Sequence, residues 1–336
     1  MKKCLIASLL VGVISLTGCG NSTATSEKPT IKVGYFPNIT HAQALVGLAD
    51  GTFQKTLGDN VIIETKTFNA GPEEIEALLA GAIDIGYIGP SPAVNGYIKS
   101  NGEALKIISG SASGGAALVV QPELAEAFVK NGVQALAGKK IASPQQGNTQ
   151  DVALRYYLKQ NGLDQSTQVI PIANADQLTM FSQKELDGAW APEPWAARLI
   201  QEASGQLIID ERDLWPDKQF TTTNVIVSTK FLNEQPDLVK QWLTAHVAVT
   251  DWINNHPTEA QTTVNNEIEK LTTKKLKDSV LAEAWQRLNI TVNPYQASVI
   301  TMAQHAYDQG YLGEQQPVLD SLYDLTTLNE ITGQQY

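Results

Sequence analysis

The chain has 336 residues, with 24 Lys and Arg against 35 Asp and Glu, a formal charge of −11 and a hydrophobic content of 43%. So acidic a chain excludes nucleic-acid binding by phosphate neutralisation and polybasic attachment to a membrane. Its length and apolar content suffice for two domains, and with only two cysteines, Cys4 and Cys19, the fold must rest on its own core instead of disulfides.

Lys2 and Lys3 precede an apolar run from Leu5 to Leu16, and small residues then lead to Leu16-Thr17-Gly18-Cys19. That is the layout of a secretory signal, placed at residues 1–18. The final four residues resemble the lipobox of bacterial lipoproteins. The resemblance implies that Cys19 receives a diacylglyceryl group and becomes the mature N-terminus. Residues 19–30 are polar and read as a flexible stalk. No later segment approaches the ~18 to 20 apolar residues of a membrane span, so the lipid is the expected membrane attachment of an extracytoplasmic body.

The body opens on the extended run Ile31 to Tyr35, followed by a Pro-Asn break and a helix from about His41 to Ala49. Strand-like and helix-like stretches then alternate: Val61 to Phe68, Glu73 to Ala80, Ile83 to Ile88, Ala93 to Lys99 and Leu105 to Ser109. A second series follows through Lys139 to Ala142, Asp151 to Gln160, Val169 to Ile172, Leu186 to Trp190, Trp195 to Ala203 and Leu207 to Ile209. Such alternation predicts α/β lobes on mainly parallel sheets. Asn224 to Ser228 reads as one more strand. From Phe231 onward the chain reads as almost wholly helical, with Leu238, Trp242 and Leu243 on one buried face that the first lobe's sheet would cover.

Four strand-to-helix junctions are rich in Gly, Pro, Ser, Thr, Asn and Gln, and in parallel α/β lobes these junctions lie where ligands bind. The first holds Asn38, Thr40 and His41, with Thr40 and Gln43 at capping-box spacing. His41 fits either a ligand contact or a plain first-turn position. The second, Gly89-Pro90-Ser91-Pro92, predicts Ser91 at the N-cap and Pro92 at the first helical position. It imitates a nucleophile elbow, but Pro92 has no N–H to offer an oxyanion, so Ser91 can bind and cannot serve as that nucleophile. The third, Pro144 to Gln150, offers Asn148 as a cap and Thr149 beside it. The fourth is Ala191-Pro192-Glu193-Pro194-Trp195; Glu193 and Trp195 fit either a ligand wall or a first-turn carboxylate and a core indole. Ser109 to Ala116, including Ser113 and Gly114, is a small-residue stretch between two apolar strands that would let a ligand approach backbone N–H groups, or be a loose turn.

The four arginines, Arg155, Arg198, Arg212 and Arg287, fall inside or beyond predicted helices. An anion here would therefore be held by helix N-termini and neutral donors, which favours a weakly basic monovalent head such as a sulfonate or nitrate over phosphate. The four histidines, His41, His246, His256 and His305, show no two-ligand helical spacing, so no metal, cofactor or catalytic constellation is expected. Trp190, Trp195, Trp215 and Tyr35 are candidates for an aromatic wall around a ligand tail.

With Gly34 to Ala42, Ala80 to Gly89 and Ser113 to Val120 in order, and Ala191 to Trp195 beyond them, the chain resembles the solute-binding proteins of ABC importers, in the sulfonate, taurine and nitrate branch. The resemblance implies a two-lobed periplasmic-binding-protein-like fold (type II) with two hinge crossovers, near Val120 and near Thr222. Lobe 1 would be residues 31–120 plus 224–336, and lobe 2 residues 121–223. It also implies a monomer that hands a small anionic ligand to permease subunits, with binding positions at Asn38, Thr40, His41, Ser91, Ser113, Gly114, Asn148, Thr149, Glu193 and Trp195. Glu193 departs from an anion site: either it points away or the ligand also carries an amine, as taurine does. Nitrate or thiamine-type pyrimidine binding, a pyrimidine-processing enzyme and a sensor domain are the alternatives on the same fold.

Overall fold

The computed structural model describes residues 28–336; the signal segment and Cys19 lie outside the described residues, as does most of the stalk. Eleven strands build two sheets among the described residues: β1 (Thr30–Tyr35), β2 (Ile62–Thr67), β3 (Ile85–Ile88), β4 (Leu105–Gly114), β5 (Ala116–Val120), β6 (Lys140–Ser143), β7 (Gln168–Pro171), β8 (Gly188–Pro192), β9 (Gln206–Asp210), β10 (Thr221–Ser228) and β11 (Leu288–Ile290). The first sheet is six-stranded in the order β11-β4-β10-β3-β1-β2, and the second five-stranded in the order β7-β6-β8-β5-β9.

The fold is the two-lobed α/β architecture of periplasmic binding proteins, and each sheet is mixed, the first also carrying β11 antiparallel to β4 at its edge. β1 pairs in parallel with β2 and β3, and β6 with β7 and β8. The returning strand β10 runs antiparallel between β3 and β4, and β5 antiparallel between β8 and β9. Each sheet thus takes in one strand that arrives from the other lobe. Such a strand enters from the cleft side, so it must run opposite to strands that end there.

This pairing moves the first crossing. Ala116 to Val120, expected in lobe 1, pairs along its whole length in the second sheet, so the chain crosses at Gly114 and Gly115. Both glycines have φ of 74°, where a side chain is strained. The stretch before them is no loose turn: β4 continues through Ser109 to Gly114 with every residue buried, beside β10 and β11. β11 itself was not expected in the helical C-terminal region; three residues are too short for a period to register.

One face of the first sheet is covered as its spacing predicts. Ile31, Val33 and Tyr35 alternate to one side of β1 and join Tyr87, Leu238, Trp242, Leu243 and Val249 in one core. The helix Pro236–Asn255 supplies the last four, and Phe53 stacks on Trp242 with ring centroids 3.8 Å apart. The other face packs on Ile75, Val94, Tyr97 and Val299 from the helices Gly71–Leu79, Pro90–Lys99 and Gln296–Asp308. The helices after β10 therefore return to lobe 1. Among the described residues no helix is long and apolar enough to cross a membrane.

Candidate functional site

The junctions after β1, β2, β3, β6 and β7, together with Pro192 at the end of β8, meet between the lobes around a cavity of about 20 Å³. Its wall includes Phe36, Asn38, Thr40, His41, Asn69, Gly89, Asn148, Thr149, Asn174, Thr222 and Thr223. Carboxyl ends of parallel strands from two sheets converge there because both sheets point the same edge at the cleft. A further chamber of about 280 Å³ shares Phe36, Asn38, Asn69 and Asn174 with it and adds Phe68, Leu178, Trp195, Ile268 and Leu276. A polar cup thus adjoins a partly apolar one.

Each side chain is held by local structure. Asn148 caps the helix Thr149–Gln160, its Oδ1 accepting from Thr149 N at 2.6 Å. A cap of this kind is worth about 1 kcal/mol. The neighbouring Thr149 Oγ1 is buried without a partner, as are Thr223 Oγ1 and Asn174 Oδ1. His41 stacks on Phe36, and its Nδ1 accepts from Phe36 N at 3.3 Å. An acceptor at Nδ1 leaves the proton on Nε2. Burial pushes the His41 pKa down to about 3, so the ring is a neutral donor and not a cation. The lobes meet closely around this cup: Trp195 Nε1 donates to Asn38 Oδ1 at 3.3 Å, and a Cβ at Gly89 would lie 2.4 Å from Thr149 Oγ1.

Thr40 lies in the short 3-10 turn Ile39–His41, and Gln43 closes no capping box. Its amide instead bonds Ser111 and Thr250 in the core, where burial demands partners. Ser91 is likewise no cap. The helix begins two residues earlier, with Gly89 at the N-cap and Pro90 at its first position, and the buried Ser91 hydroxyl has no partner and lies outside the wall of the cup.

Ser113 stands next to last in β4, just before the crossing at Gly114 and Gly115, and Ser113 and Gly114 line neither cup. Ser113 Oγ accepts from Phe220 N at 3.3 Å, Gly114 N donates to Phe220 O at 3.1 Å, and Thr222 Oγ1 donates to Gly114 O. These bonds tie the two crossings together. Glu193 faces away from the cup. Its carboxylate accepts from Ala197 N at 3.0 Å and from Arg287 Nε, joining the lobes through an ion pair. Trp195 stands at the mouth, with the Arg198 guanidinium 4.7 Å above its ring. The expected aromatic wall does not form: Trp190 and Tyr35 are core residues of different lobes, and Trp215 lies elsewhere.

No arginine lines the cup, Arg198 lines the adjoining chamber, and each of the four arginines is occupied. Arg155 pairs with Asp151, Arg198 with Glu202, Arg212 with Asp210, and Arg287 with Glu193 and Glu283. Asn69, Asn174, Thr222 and Thr223 were missed. Asn69 and Asn174 occupy strand-to-helix junctions of the same composition as the four noted, and the Thr221-Thr222-Thr223-Asn224 run is a polar entry to an otherwise apolar strand.

Residues 24–266 match the NMT1-like family. The chain belongs to the NMT1-like family. Among relatives of this family member, a putative binding protein of Brucella abortus (strain 2308) is 25% identical over 242 residues, 71% of this chain and 72% of the relative. A putative aliphatic sulfonates-binding protein of Bacillus subtilis (strain 168) is 26% identical over 269 residues, 77% and 76% of the two chains. Among solved structures, the alkanesulfonate-binding protein SsuA of Xanthomonas axonopodis pv. citri, bound to MOPS, superposes with a TM-score of 0.71 at 18% identity, covering 88% of this chain and 98% of that one. The periplasmic nitrate-binding protein NrtA of Synechocystis PCC 6803 gives 0.72 at 15% identity, covering 91% and 89%. The relatives and solved structures named here are binding proteins by their descriptions.

Proposed function

We propose that this chain is the extracytoplasmic solute-binding lipoprotein of an ABC importer, which captures a small organic anion, a sulfonate, between its lobes and delivers it to membrane permease subunits. The observation that carries this reading is the make-up of the cup: a helix N-terminus, neutral hydroxyl and amide groups and a neutral His41, with every arginine around it committed to a carboxylate. Such a site holds a weakly basic monovalent oxyanion through oriented N–H and O–H dipoles. The adjoining chamber with Phe36, Phe68 and Leu178 supports a ligand with an organic tail. The commitment of Glu193 to Arg287 supports an alkanesulfonate over taurine, whose amine would want that carboxylate. The binding positions in this reading are Asn38, Thr40, His41, Asn148, Thr149 and Trp195, joined by Asn174 and Thr223, with Ser91 behind them. Tethering through Cys19 would keep the binder close to its permease.

Titration calorimetry across alkanesulfonates, taurine, nitrate and a thiamine-type pyrimidine tests the reading. One alkanesulfonate is expected to bind at micromolar affinity or tighter. Tightest binding of nitrate or of the pyrimidine would replace the ligand while keeping the transport role. Capture of a cation or a neutral sugar, or no binding by any of them, would overturn the reading. The size of the inner cup, about 20 Å³, is the observation that keeps nitrate among the arms.

A further inference from the structure

A second cavity, of about 720 Å³, lies between the lobes beside the second crossing. It shares no wall residue with the cup. Tyr156 comes from the helix Thr149–Gln160 of lobe 2, Glu211 and Trp215 from the crossing, and Tyr295 and His305 from the C-terminal part of lobe 1. Tyr156 and His305 stack with centroids 3.5 Å apart and an interplanar angle of 12°, and Trp215 is tilted against His305 at 5.8 Å. Tyr156 and His305 cover one face of each other, so the aromatic surface left to a ligand ring is the outside of this pair and the Trp215 indole.

At the inner end is the carboxyl of Glu211, only 1% exposed. Trp190 Nε1 donates to Oε2 at 2.7 Å, whereas Oε1 has no hydrogen-bond partner. The Trp215 indole is near it without making a hydrogen bond of good geometry. A buried carboxyl oxygen without a donor costs free energy, which a ligand N–H placed there would recover. No lysine or arginine is in the wall, and the rim carries Asp217, so the site repels anions. Burial holds the Glu211 pKa up at about 7, so near neutrality the carboxyl can accept from a neutral N–H or, once ionised, pair with a protonated one.

The geometry points to a second ligand site, separate from the anion cup, in which a planar nitrogen-bearing aromatic molecule packs against the Tyr156–His305 pair and the Trp215 indole and its N–H donor is received by Glu211. The site stands apart from the sulfonate reading; the cup could take any ligand without altering it.

2-Aminobenzimidazole, flat and rich in N–H donors, is the probe, and indane of the same ring size is the donor-free control. Ligand-observed NMR and calorimetry on the whole mature chain should give saturable one-to-one binding of the probe, with indane at least about tenfold weaker, the range of one hydrogen bond to a charged or polar buried group. Glu211→Gln keeps the acceptor for Trp190 and should weaken the probe about tenfold. Thr301→Trp, at an exposed wall position, should block the cavity without touching the core. Thr301→Trp decides the question should Glu211→Gln fail to fold. Absence of saturable binding, equal affinity for indane, or wild-type affinity in Thr301→Trp would overturn the site. Displacement of the probe by a sulfonate with no loss in Thr301→Trp would place the probe in the cup, and would also overturn it.

Discussion

The interlobe interface carries two regions of opposite chemistry. The cup at the strand ends is lined by hydroxyls, amides and a neutral histidine, with a tight approach of Gly89 to Thr149; the cavity beside the second crossing is lined by aromatic faces and one buried carboxyl. A chain of formal charge −11 supports both, because each site is set by a few oriented groups and not by the global field. The first offers donors to an oxyanion. The second lacks any cation and offers an acceptor. The two regions of this interface therefore differ in local hydrogen-bond polarity.

The largest expected effect lies on the ion pair that joins the lobes outside both regions. Arg287→Ala would leave Glu193, fully buried, without its cation, and breaking a buried pair from one side costs about 3–5 kcal/mol. A chemical denaturation midpoint within error of wild type would show that Glu193 relaxes to solvent.

Next is the pH dependence that Glu211 brings to the aromatic region. Its pKa is raised in the folded state from 4.5 to about 7, so its contribution to stability is full below 4.5 and is lost as pH rises through 7. A displacement of that size corresponds to roughly 3 kcal/mol between the two limits. Burial also raises Glu193 and Glu74, and lowers His41, His246 and His305, so the whole-chain profile mixes both signs. The difference between wild type and Glu211→Gln isolates the one group: Glu211→Gln should gain relative to wild type from pH 5 to pH 8. Parallel profiles would mean that Glu211 is not held neutral.

Gly89→Val tests the cup. Its backbone, at φ −67° and ψ 153°, accepts any residue, so the clash falls on Thr149 across the cleft and not on the local fold. Overpacking of about 1–3 kcal/mol predicts a sulfonate affinity lower by roughly 10- to 100-fold with the melting temperature little changed. Retained affinity would say that the lobes do not close on this contact.

The smallest effect is an expected flatness. With a His41 pKa near 3 the ring stays neutral through the working range, and anion affinity should hold constant from pH 5 to pH 8. An affinity that falls as pH rises past 6.5 would make His41 a cation in the complex, and the cup would then work by charge.

Much of this was written locally. The alternation of strands and helices, the apolar face holding Leu238, Trp242 and Leu243, the Asn148 cap and the helix Trp195–Ala203 follow from periods and end signals that act within one turn or one strand. Asn38, Thr40, His41, Asn148 and Thr149 were legible for the same reason: a polar junction after a strand is a local event, and the fold collects such junctions at one edge. Asn69 and Asn174 carried that signal too.

Tertiary structure decided where two readings competed. Ser91 and Pro92 fit a cap and first turn, yet Pro90 suits the first turn equally, and packing chose the earlier start. Ser109 to Gly114 has the composition of a turn and became buried strand, since β10 and β11 on either side take its backbone hydrogen bonds. Glu193 could face ligand or protein until Arg287, far along the chain, arrived to take it. The aromatic cavity had no sequence signature at all, because its walls come from three distant segments whose residues each look like ordinary helix or loop. Short-range hydrogen bonding and periodicity let the sequence alone determine the elements and most of the polar cup. The crossing point, the direction of Glu193 and the second cavity depend on long-range packing, which fixes partners that local propensity leaves open.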